Sequence, residues 1–122
     1  MEESPKRDLK ERTYAFARRI IRMYVALPKT AVAQVLGKQV LRSGTSVGAN
    51  YREAFRGRSK AEFICKMGDC LRELEESEYW LELLVDESIV TPEKMNPLLD
   101  ETRQLIAIFV TIIKSSRSNR KS

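Results

Sequence analysis

Histidine is absent from these 122 residues. With it go the Ser–His and Cys–His nucleophile arrangements, the Glu-x-x-His di-iron signature and the commonest zinc, haem and proton-shuttle ligand. No P-loop, GxGxxG or DxDxDG pattern occurs either, so nothing marks a phosphate cradle or a calcium loop. No catalytic residue, metal site or cofactor is therefore expected. The two cysteines, Cys65 and Cys70, stand five apart on one expected helix and point in different directions. They read as structural thiols of a reducing compartment rather than as a disulfide or metal knuckle. No apolar run approaches the roughly 20 residues that span a bilayer, and the opening MEESPKRDLKER has no apolar core of a secretory signal. A cytoplasmic protein with no membrane partner is the expectation.

With only 5 Gly and 4 Pro, and 43% hydrophobic against 32% charged residues, the composition suits one helical domain. Apolar spacing divides the chain into four segments. The first runs over 7–27, where Leu9, Thr13, Phe16, Ile20, Met23 and Leu27 recur at steps of four and three before Pro28. The second, 30–56, has Thr30 as N-cap and Gly57 as its stop. The third, 60–87, begins with Ser59 and Glu62 in capping-box spacing and carries Phe63, Met67, Cys70, Leu74, Ser77, Leu81 and Leu84. The fourth, 92–114, follows Thr91–Pro92 and presents Met95, Leu99, Thr102, Ile106, Phe109 and Ile113. Pro97 falls early enough in it to be tolerated. The pattern defines an all-α protein, an antiparallel up-and-down four-helix bundle, with a disordered tail at 115–122.

The charge is uneven. Residues 1–61 hold 14 Lys/Arg against 5 Asp/Glu, a net of +9, while 62–122 hold 8 against 12, a net of −4. Arg18, Arg19 and Arg22 stack on the first helix. Arg52, Arg56, Arg58 and Lys60 cluster around the second turn, and Lys114, Arg117, Arg120 and Lys121 close the chain. These cations could follow a phosphate backbone without reading bases. They could equally meet the acidic run Glu73, Glu75, Glu76, Glu78 and Glu82, within one chain or between copies.

The second helix has an unusual middle, VLRSGTSVGANYRE at 40–53. Ser, Thr, Gly and Asn each form helix less well than Ala by a few tenths to about 1 kcal/mol, so close packing or a hydrogen-bonded network must offset them. Ser43 stands where an apolar residue is due, and Arg42, Ser46, Asn50 and Glu53 gather into a polar stripe. Arg42 needs a carboxylate from a neighbouring helix, for which Glu75 and Glu78 are the candidates. This set is expected to form a structural network or, alternatively, a ligand pocket. Tyr51, Tyr79, Trp80 and Phe109 are the candidate interface residues, because the fourth helix is apolar nearly all round over 104–113.

The segment Leu41 to Leu84 resembles the signature of the bacterial four-helix bundle protein family, also called the ribosomal RNA intervening-sequence protein family. The resemblance rests on Arg42-Ser43-x-x-Ser46-x-x-x-Asn50-x-x-Glu53, then Ser59-Lys60-x-Glu62-Phe63, then Glu75 with Trp80. More distantly the chain is similar to the accessory protein of diversity-generating retroelements. The resemblance implies a homopentameric ring of bundles, and the distant relative implies association with nucleic acid and a nucleic-acid-processing protein. The functional expectation is a non-enzymatic, self-assembling accessory or adaptor that binds RNA or DNA with little sequence preference. The alternative is a homo-oligomeric interaction scaffold that binds no nucleic acid.

Overall fold

The computed structural model describes residues 5–57 and 59–121, and the side chains of residues 9–57 and 59–118. It contains four helices: α1 Pro5–Val25, α2 Ala31–Glu53, α3 Lys60–Asp86 and α4 Pro92–Lys121. No strand occurs among the described residues.

Each boundary has a local cause. Pro5 opens α1 at a position where its missing N–H is not needed, and Pro28 follows its end. The Thr30 side chain accepts the Ala33 N–H to start α2. Ser59 and Glu62 form the expected capping box, with the Ser59 hydroxyl accepting from Glu62 N–H and the Glu62 carboxylate accepting from Ser59 N–H. At the far end of α3, Ser88 takes φ +61°. The Ile89 and Ser88 N–H groups then reach back to Leu84 and Val85 carbonyls, which is a Schellman closure with serine in glycine's usual place.

Two boundaries differ from the sequence expectation. Helix α2 stops at Glu53, short of 56, and Ala54–Gly57 unwinds through turns until Gly57 reaches φ +64°. Helix α4 continues to Lys121 where a disordered tail was expected from residue 115. No Pro or Gly follows Ile113 to interrupt it, and cations such as Lys114 and Arg117 suit the negative end of a helix dipole.

Helix α2 packs between α1 and α3, and α3 between α2 and α4, while α1 approaches α4 closely at few positions. The result is an up-and-down bundle whose fourth seam is the loosest. The α1–α2 and α3–α4 turns share one end, here called the head. The α2–α3 turn shares the other end, the foot, with the start of α1 and the end of α4. Leu9, Phe16, Ile20, Val40, Val47, Met67, Leu74, Leu81, Leu84, Leu105 and Phe109 form the core. Met23, Phe63 and Ile106, counted in the expected seams, are only half-buried at its edge. No described helix is long and apolar enough to cross a membrane.

Candidate functional site

The small residues of α2 divide between two neighbours. Gly37, Gly44 and Gly48 face α1. A methyl group at Gly44 would stand 2.7 Å from Ile20 Cγ1, and one at Gly37 would stand 2.6 Å from Leu27 Cδ1. The missing side chains are what let α1 and α2 lie so close. Ser43 faces α3 instead and is fully buried, with its Oγ 2.7 Å from Ser77 Oγ. Ser77 reaches the Glu73 carbonyl at 2.8 Å, while the Val40 carbonyl stands 3.4 Å from Ser43 Oγ, so the shorter pair of bonds has Ser77 donating to Glu73 and Ser43 donating to Ser77. Both serines occupy seam positions on adjacent helices. That coincidence is the sequence signal that would have paired them.

The rest of the polar stripe lies along the α2–α3 seam and is wetter than expected. Arg42 is 58% exposed and pairs with Glu76 at 2.6 Å, not with Glu75 or Glu78. Glu75 is exposed, and Glu78 joins Glu82 in holding Arg103 of α4, at 2.7 and 2.8 Å. Ser46 donates to the Arg42 carbonyl, and the Asn50 Nδ2 to the Ser46 carbonyl, both on their own helix. Glu53 and the Asn50 Oδ1 meet on Lys66, at 2.9 and 3.2 Å. Lys66 was not singled out from the sequence, although its position on α3 makes it the link between the two helices here. The stripe is thus a set of surface ion pairs over a buried Ser43–Ser77 contact.

Two buried side-chain atoms on α3 lack a hydrogen-bond partner, Glu73 Oε1 and Trp80 Nε1. Burial, then the neighbouring Glu76 carboxylate, pushes the Glu73 carboxyl above its ordinary range, against the pull of Arg42. Cys70 donates to the Val47 carbonyl, and burial raises its thiol to about 12. Cys65 is exposed. Among the described residues no group of His, Cys, Asp and Glu could hold a metal ion.

The interface candidates separate. Tyr51 and Phe109 are core residues, their rings edge-on at 5.9 Å, so neither offers surface to a second copy. They were misplaced because the apolar sides of α2 and α4 are wider than a sequence period reveals. Tyr79 is 55% exposed and lies edge-on to half-buried Trp80. The apolar excess of α4 is largely absorbed within the bundle, where Ile106, Ile108 and Ile112 pack against the core. Exposed aliphatics lie on α1 and α2 instead, at Ile21, Val25, Val32 and Val35.

The cation candidates also separate. Arg18, Arg19 and Arg22 lie in the head-ward half of α1. Arg52, Arg56 and Lys60 lie at the foot, with Lys114 and Arg117 of α4 at the same end. Arg58 falls outside the described residues. Arg52 stacks over the Tyr14 ring at 5.5 Å. None of the described candidates forms an ion pair. In the acidic half Asp69 pairs with Arg72, Glu76 with Arg42, Glu78 and Glu82 with Arg103, and Glu101 with Arg12.

These features define a class: a four-helix bundle with a small-residue second helix sealed onto both neighbours and unpaired cations at its ends. The chain belongs to the 23S rRNA-intervening sequence protein family, whose pattern it matches over residues 6–111. It is similar to a protein of unknown function from the S23 ribosomal protein family of Bacteroides thetaiotaomicron, solved as a crystal structure. The two share 38% identity over 89% of this chain and 97% of that one, with a TM-score of 0.83. No curated protein matches the chain.

Proposed function

We propose that this bundle is a non-enzymatic nucleic-acid-associated protein that grips phosphate backbones, RNA or DNA, through the foot. The observation that carries the reading is the division of charge partners. Had the acidic run neutralised the foot, Arg56 and Lys60 would pair with it; instead Glu76 pairs with Arg42, and Glu78 and Glu82 hold Arg103. The foot keeps Arg52, Arg56, Lys60, Lys114 and Arg117 outside any ion pair. Flexible cations around a helix turn suit shape-tolerant phosphate contacts rather than base readout. Self-assembly, into the pentameric ring that the family resemblance implies, would repeat the foot and make weak contacts multivalent. Exposed Val32 and Val35 on α2 and Tyr79 on α3 supply apolar surface for such contacts.

The test is binding of a short labelled RNA and its DNA counterpart over a salt series. The expected result is a steep loss of affinity with salt. The Arg56→Ala/Arg58→Ala/Lys60→Ala variant should weaken many sequences about equally and flatten the salt dependence by roughly one charge per phosphate contact removed. Wild-type binding by this folded variant would overturn the foot as the contact surface. Absence of binding from a protein that still assembles would favour the scaffold alternative.

A further inference from the structure

The loose α1–α4 seam opens at the head into a cavity of about 400 Å³, a volume in the usual range of small-molecule sites. Its floor is aliphatic, built from Met23, Leu27, Ile89, Val90, Met95 and Leu98. The Schellman turn at Ser88 is what swings Ile89 and Val90 into it. Arg19, Arg22 and Lys94 line it as cations, and no carboxylate does. Arg19 is half-buried and has neither an ion pair nor a side-chain hydrogen bond. A guanidinium at the edge of an apolar floor, with no acceptor from the protein, is set to receive an anion.

We propose that this cavity binds a small amphiphilic anion, an aliphatic chain ending in a carboxylate or phosphate. The chain lies on the Met/Leu/Ile/Val floor, and Arg19, Arg22 and Lys94 take the charged end. The lining holds no aromatic ring for a nucleobase to stack on, and Thr91 is its one neutral hydrogen-bonding side chain. A nucleotide would therefore leave its base edges unpaired. Arg19 and Arg22 thereby belong to a site separate from the nucleic-acid foot.

The experiment is titration calorimetry of the full chain with decanoate, decyl phosphate, decanol and inorganic phosphate, each amphiphile kept below its micelle concentration. Decanoate or decyl phosphate should bind at least about tenfold more tightly than decanol or inorganic phosphate. The relative strength of the first two identifies the head group. Arg19→Ala/Arg22→Ala, both near the surface, should lose about tenfold or more in affinity. Ala26→Trp, which fills the cavity from its exposed rim, should abolish binding, while Arg56→Ala/Lys60→Ala should leave it unchanged whatever that variant does to RNA. Equal affinity for decanoate and decanol, or undiminished binding by the double arginine variant, would overturn the proposal. So would absence of heat with both anions, and in that case loss of assembly in Ala26→Trp would show that a second copy occupies the seam.

Discussion

Adding one methyl group at Gly44 and the same group at Gly68 should move stability in opposite directions. Both glycines sit inside helices, where Ala is favoured over Gly by about 1 kcal/mol. At Gly68 a Cβ meets nothing within 4 Å, so Gly68→Ala should gain most of that. At Gly44 the Cβ would stand 2.7 Å from Ile20 Cγ1, 3.1 Å from Cγ2 and 3.2 Å from Cδ1. Both branches of Ile20 are engaged and Ile20 is completely buried, so relief of the clash falls on the packed core or on the spacing of α1 and α2. Overpacking of this kind costs about 1–3 kcal/mol. Set against the propensity gain, Gly44→Ala should lose up to about 2 kcal/mol, or up to about 8 °C in Tm for a domain of this size. Urea unfolding of the two variants reads the difference directly. The Ile20→Ala/Gly44→Ala double variant should be more stable than the sum of its single changes, because the two side chains compete for one space. If Gly44→Ala stabilises as much as Gly68→Ala, the close α1–α2 contact is not what the glycines are for.

Further outcomes follow from the α2–α3 seam. Arg42→Ala should cost less than about 1 kcal/mol, since its pair with Glu76 is exposed to solvent; a loss of several kcal/mol in urea unfolding would contradict a surface pair. Ser77→Ala should cost about 1–2 kcal/mol by removing the acceptor of the buried Ser43 hydroxyl. Adding Ser43→Ala should cost little more, a coupling that a double-mutant cycle measures. Glu73→Gln should hold or raise stability at neutral pH, because burial disfavours the charged form; a marked loss would show that the carboxylate has a partner. The buried Cys70 thiol, raised from 9.0 to about 12, holds its proton where the unfolded chain releases it. Stability contributed below pH 9 is therefore lost as pH rises from about 9 toward 12, at a limiting slope of about 1.4 kcal/mol per pH unit. Cys70→Ala should flatten that alkaline slope in unfolding measured between about pH 8 and pH 10, and an unchanged slope would assign the loss elsewhere.

Periodicity, caps and prolines determined the four helices and their order, because a helix start or stop is decided by a few neighbouring residues and the backbone groups they satisfy. Thr30, Ser59 with Glu62, and Pro92 could be placed from sequence for that reason. The seam residues of α3 were legible on the same ground, since steps of four and three select one face whatever lies opposite. The odd composition of α2 was also visible from the sequence; its division into a glycine side toward α1 and a serine side toward α3 was not. A wheel gives the angle between residues on one helix but not the neighbour at each angle, and Gly44 beside Ile20 exists only once α1 has docked. The same limit misassigned the partner of Arg42, because Glu75 and Glu76 differ by about 100° around α3 and only the packed register selects between them. Tyr51 and Phe109 were placed at an interface for want of knowing how wide the core is. The cavity beneath Arg19, Arg22 and Lys94 was invisible in the chain. It arises where the fourth seam fails to close, and that follows from how four tilted cylinders share three tight contacts, not from any one of their sequences.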